Sequence, residues 1–168
     1  MPITILPRPI TLSWSDFTPV RALSNHEDAH IDPGFEIQNR PLRRVGSQYM
    51  LAETLEVRVH PQARVLRTAN QTSDLLAHEQ GHYDIGILAA RALAADLAVL
   101  SADTPRQLAH LADQVFTLHR LTRLGPIQHA YDHDTNHSQN AQEQQRWLQM
   151  IATAMANGSA ASINNLPL

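Results

Sequence analysis

The chain has 168 residues, 43% of them hydrophobic and 17% charged, with a net charge of −3 when histidine is neutral. That length and balance fit a single globular domain over residues 1–168 and exclude wholesale disorder. No basic block stands out, so a nucleic-acid partner is not expected. The absence of cysteine excludes disulfides, thiolate metal sites and cysteine nucleophiles together.

Residues 1–68 read as strands and turns. Most of the prolines lie there, among them Pro19, Pro33, Pro41 and Pro61, and proline at that density keeps helices short or absent. The N-terminus lacks a basic segment followed by a long apolar run, so no signal peptide is expected and the chain as written reads as cytoplasmic. No apolar stretch approaches the roughly 18 residues of a membrane span. Leu55-Glu56-Val57-Arg58-Val59 alternates apolar and polar, as a strand with one buried face does, and it could serve as an edge strand that pairs with an extended peptide. Val65-Leu66 follows a turn at His60-Pro61 and can begin a second short strand.

The texture changes at Thr72-Ser73-Asp74, which carries an N-cap and an acidic first turn. From Leu75 to about Leu100 the apolar residues recur at helical spacing. Asp103 or Thr104, with Pro105 next, starts a second helix that is expected to stop at Gly125-Pro126. A polar connection over 128–137 should follow, and then a last helix from about Ser138 to Asn157-Gly158, so that 72–157 is mostly helical. The expectation is an α+β fold: a small N-terminal antiparallel sheet followed by about three helices.

His78-Glu79-Gln80-Gly81-His82 is an H-E-x-x-H sequence inside the first long helix. Residues four apart share a helix face, so both imidazoles can reach one zinc ion at about 2.0–2.1 Å. Glu79 is offset by one position and can activate a zinc-bound water without binding the ion. Two histidines on an otherwise apolar helix face are poor core material, which favours the metal reading over chance. Gly81 inside a helix costs about 1 kcal/mol relative to Ala, so a close neighbour or room beside the metal is expected. A catalytic zinc takes a third protein ligand, and the polar stretch offers His129, Asp132, His133, Asp134 and His137.

Three places in the chain resemble a bacterial family described as predicted secreted zinc-dependent proteases, a domain of unknown function with an H-E-Q-G-H-[FY]-D-I core. Trp14-Ser15-Asp16-Phe17 looks like its N-terminal W-x-D-F, and Leu75 to Ile85 matches the core. Tyr131-Asp132, Thr135 and His137, with Gln145 and Trp147 after them, resemble its C-terminal pattern. The resemblance implies zincin-like metallohydrolase chemistry, a peptide substrate and a secreted or periplasmic location. It selects His137 as third ligand, with Asp132 the alternative or a partner that holds a ligand imidazole. The family's usual Gly after that histidine is Ser138 here.

The expected function is therefore a zinc metallopeptidase with His78, His82 and His137 on the ion and Glu79 as base. Tyr131 could steady the developing oxyanion, while Asp84 is expected to make a structural hydrogen bond. Trp14, Phe17 and Trp147 belong to the core, and His26, His30, His60, His110 and His119 to surface or packing. The competing expectations are a promiscuous zinc esterase of small molecules and a non-catalytic zinc-binding module. The oligomeric state is not legible.

Overall fold

The computed structural model describes residues 3–6, 9–23, 27–158 and 161–168, so His26 lies outside the described residues. The fold is mixed α+β. Eight short strands precede the first helix: β1 (Thr4–Leu6), β2 (Thr18–Val20), β3 (Ala29–His30), β4 (Gly34–Glu36), β5 (Leu42–Val45), β6 (Gln48–Leu51), β7 (Glu56–His60) and β8 (Arg64–Leu66). They are followed by α1 (Ser73–Ala98), β9 (Ser101–Ala102), α2 (Pro105–Thr117), a π-helical turn (Leu118–Arg123), α3 (Leu124–Thr135), α4 (Ala141–Asn157), β10 (Ser162–Ile163) and β11 (Leu166–Pro167).

Two features of the expected sheet are corrected. The strands form three three-stranded sheets, ordered β1-β7-β4, β2-β8-β3 and β5-β6-β9, plus the β10-β11 pair, so strands also follow α1 and α4. Pairing is mixed rather than antiparallel: β1 runs parallel to β7 and β2 parallel to β8. The long connection between each pair supplies the crossover that parallel strands require. The alternation at 55–59 does report a strand, with Val57 and Val59 fully buried. That strand, β7, is nevertheless central. β1 and β4 occupy both its edges, so it cannot add a substrate strand.

α1 runs through the middle of the molecule. Thr72 caps it by accepting a hydrogen bond from the Leu75 N–H at 3.1 Å, an arrangement that contributes about 1 kcal/mol. One side, with Tyr83, Ile87, Ala90, Leu93 and Leu97, packs on the sheets through residues such as Val57, Val59 and Val65. The other, with Ile85, Leu88 and Ala89, packs on Leu124, Ile127, Tyr131, Trp147 and Ile151 from α3 and α4. A helix buried on both sides carries apolar residues most of the way round, which blurs its amphipathic stripe. Gly86 lets Pro33 close against the helix, where a Cβ would lie about 2.7 Å from the Pro33 Cγ.

The second helical segment does not stop at Gly125-Pro126. Thr104 caps it and Pro105 opens it as expected, but the chain then passes through the π turn and continues as α3 to Thr135. Pro126 is the third residue of α3, directly after the π turn; it cannot donate back to that turn, yet the helix continues through it. The stretch 128–135 is therefore a helix face, and only 136–140 is a loop. α2, the π turn and α3 make one interrupted rod, and with α1 and α4 they give three helical rods.

Candidate metal centre

α1 presents His78 and His82 one turn apart, and their Nε2 atoms lie 3.1 Å from each other. α3 brings Asp132 against them: its Oδ1 is 2.8 Å from His82 Nε2 and 3.2 Å from His78 Nε2. Both imidazoles are buried, at 2% and 6% exposure. Four ligand atoms at zinc bond lengths of 2.0–2.1 Å stand about 3.3 Å apart around a tetrahedral ion. The observed triangle of donors has nearly those edges.

The neighbours of the two rings decide where their lone pairs point. Gln128, one turn before Asp132 on α3, donates its side-chain amide to the His82 carbonyl at 3.0 Å and accepts from His82 Nδ1 through Oε1. Thr135 donates its hydroxyl to the Tyr131 carbonyl at 2.7 Å, which leaves its oxygen to receive His78 Nδ1 at 3.5 Å. With each Nδ1 engaged as donor, each Nε2 keeps a lone pair aimed at the other and at a carboxylate. Three acceptors facing one point call for a positive charge between them. In the metal-free chain a proton on His82 supplies that charge, and its Nε2 then donates to Asp132 instead of offering a lone pair. Burial lowers His82, but the Asp132 hydrogen bond and charge outweigh it and push this ring up to about 9. Burial holds His78 down to about 4. Burial opposes ionisation of Asp132 too, yet the two imidazoles hold its carboxyl well below the usual range.

Outer partners of this kind tune metal affinity by about 10–100-fold. Gln128→Leu is accordingly expected to weaken zinc binding by that factor in a chelator-competition titration, with the fold intact by circular dichroism.

Glu79 is buried at 2% exposure, and its Oε2 has no hydrogen-bond partner. Burial pushes its carboxyl up to about 7, a range in which a carboxylate can take up a proton and return it. Glu79 lines a cleft of about 270 Å³ together with His78, His82, Asp132, His137 and Glu27. β3 forms one wall of that cleft. Among the described residues it pairs only with β8, so its other edge has no strand partner.

The remaining expected residues are distributed differently. His137 reaches the cleft, but its Nδ1 lies 3.4 Å from Asp132 Oδ1 and the ring is largely exposed, beside rather than within the His78–His82–Asp132 triangle. It sits in a run of left-handed residues, with φ of 47° at Asn136, 49° at His137 and 73° at Ser138. Glycine adopts that conformation without strain, which gives the Ser138 departure a physical meaning. His129, His133 and Asp134 do not join the triangle. Asp134 instead accepts from the Trp147 indole at 2.9 Å and ties α3 to α4.

Tyr131, the expected oxyanion partner, is fully buried. Its hydroxyl donates to the His78 carbonyl at 3.2 Å, and its ring stacks on His78 at 4.7 Å between centroids. It positions the histidines from below. Gly81 makes this possible, since a Cβ there would lie about 2.8 Å from Tyr131 Cζ. Gly81→Ala is therefore expected to destabilise the protein by about 1–3 kcal/mol in a urea melt, because the stacked tyrosine cannot retreat.

Asp84 makes the structural hydrogen bond expected of it, accepting from Gln80 at 3.0 Å. Gln80 in turn accepts from the Leu12 N–H and donates to the Ile10 carbonyl, fastening the N-terminal segment to α1. Gln144, not Gln145, is the inward glutamine of α4, and it donates to the Asp74 carbonyl. Sequence reasoning also missed Gln128, Glu27 and His30. Glu27 and His30 form a 2.9 Å pair at the cleft wall.

Residues 43–139, more than half of the chain, match the model of a family described as bacterial protein of unknown function (DUF922). No curated protein and no solved structure matches the chain.

Proposed function

The chain belongs to the bacterial family of unknown function DUF922, and from the geometry of its cleft we propose that it is a zincin-like zinc hydrolase acting on peptide bonds. The observation that carries this reading is the convergence of His78 Nε2, His82 Nε2 and Asp132 Oδ1 within 3.2 Å of one another, each with an electron pair to give. The donor set fits a first-row divalent ion, and two imidazoles with one carboxylate suit zinc. We assign Asp132 as third ligand in place of His137, which stands outside the triangle.

Bound zinc would supply Lewis acidity, bringing the ionisation of a water in the cleft down toward neutrality. The protein's own groups do the rest. Glu79 accepts the proton released as water adds to the substrate carbonyl and then delivers it to the departing amine. Gln128 and Thr135 hold the two rings in one tautomer, and Tyr131 fixes their angle from beneath. The open edge of β3 can receive an extended peptide through main-chain hydrogen bonds, which aligns a scissile bond with the floor of the cleft.

Hydrolysis of small esters uses the same groups and is the second reading. It is favoured by the modest volume of the cleft, about 270 Å³. A non-catalytic zinc module would have no use for a buried carboxylate with one oxygen left unpartnered, one residue from a ligand. The test is turnover of an unstructured protein and of an activated ester by metal-free protein, before and after one equivalent of zinc. Zinc-dependent cleavage of the protein substrate supports the peptidase. Ester turnover alone supports the second reading, and zinc binding with neither activity overturns both.

A further inference from the structure

We propose that Glu27, Asp132 and His137 form a second divalent-cation site that shares the Asp132 carboxylate with the His78–His82 centre. The inference rests on the metal reading above and extends it from one ion to two. Asp132 Oδ1 is the hub, reached by His82 Nε2 at 2.8 Å, His78 Nε2 at 3.2 Å and His137 Nδ1 at 3.4 Å. On the far side, His137 Nδ1 stands 3.9 Å from Glu27 Oε1, and the three ligand atoms of this second group all lie within 4.8 Å of one another.

Glu27 is prepared for the role. Its side chain is only 10% exposed, and its Oε2 is held by His30 Nδ1 at 2.9 Å, which leaves Oε1 directed at His137. A ligating carboxylate steadied through its other oxygen is the usual outer-shell arrangement of a metal site. The charge balance of the cleft points the same way. Glu27, Asp28, Glu79 and Asp132 all line it, no arginine does, and the chain contains no lysine. Glu79 adds an independent sign: its Oε2 is buried, lacks any partner and belongs to the wall of this same cavity.

The second group is wider than the first and richer in oxygen, which suits an ion that accepts carboxylates at longer bonds, such as manganese or calcium. Carboxylate-bridged pairs of ions typically stand about 3.5–4 Å apart, a spacing a shared Asp132 allows.

The test uses the full chain, stripped with chelator, reloaded with Mn²⁺ alone, freed of excess ion and measured by elemental analysis and electron paramagnetic resonance. Two equivalents with a spin-coupled spectrum are expected, falling to one uncoupled equivalent in Glu27→Gln and in His137→Ala. Circular dichroism and the melting profile of each variant show that the fold survives. One equivalent in the wild-type chain overturns the second site while leaving the first. Two equivalents that persist in both variants, or that show no coupling, also overturn it. No bound manganese in the wild-type chain also overturns the second site, and the first centre is judged separately by the zinc stoichiometry of the same protein.

Discussion

Glu79→Gln is expected to leave zinc bound with unchanged stoichiometry and to lower turnover by about 10²–10⁴-fold, the range a positioned general base contributes. The substitution keeps shape and removes the proton acceptor, and Glu79 lies outside the ligand triangle, so binding and catalysis should separate cleanly. Loss of zinc together with activity would instead make Glu79 a ligand, and unchanged activity would remove it from the chemistry. The same variant has a stability signature in metal-free protein. Burial raises Glu79 from about 4.5 to about 7, so in the wild-type fold ionisation is opposed, and the cost is fully present only above the folded value. The Gln variant should therefore be the more stable form at pH 8, by up to about 3 kcal/mol. That advantage should shrink as pH falls through 7 and vanish near 4.5. Urea melts across that range would read it, and a pH-independent difference would contradict the burial argument.

Asp132→Ala is expected to weaken the tight zinc site by more than about 100-fold, beyond what loss of an outer-shell partner produces. His137→Ala should leave that tight equivalent within tenfold of wild type. The contrast follows from position. Asp132 Oδ1 touches both ring nitrogens and is partly buried, whereas His137 is largely exposed and faces the Asp132 and Glu27 carboxylates, not the two rings. Competition against a chromophoric chelator measures both variants. The opposite ranking would restore His137 as the third ligand.

What the sequence revealed of this site, and what it hid, follows from the range of each interaction. His78, Glu79 and His82 were legible because a single turn of α1 places them, with no other element involved. The helix starts at Thr72 or Ser73 and at Asp103 or Thr104 with Pro105 were legible for the same reason, and so was β7, whose alternation directly reports Val57 and Val59 facing inward. Asp132 was visible only as one polar residue among several. Its spacing from Gln128 and Thr135 becomes informative once 124–135 is known to be helical, and Gly125-Pro126 conceals that. Glu27 and His30 were out of reach altogether. β3 has two residues, and it exists because β8, more than thirty residues further on, pairs with it. The parallel pairings of β1 and β2 are equally non-local. Tyr131 was noticed, but nothing in the sequence says that its ring packs against both histidines.

The wide turn at Leu118–Arg123 has a consequence for how the chain can tolerate change. Each residue in a helix advances the next by about 100° around the axis, and the π turn sets the azimuth of everything that follows it. Deleting a single residue between 118 and 123 would swing Gln128, Tyr131, Asp132 and Thr135 together off the bearing of α1, without altering any of them. The rod would remain a rod of nearly the same length. The centre would come apart through rotation alone, so insertions and deletions in that turn should be far more damaging than substitutions at its exposed positions.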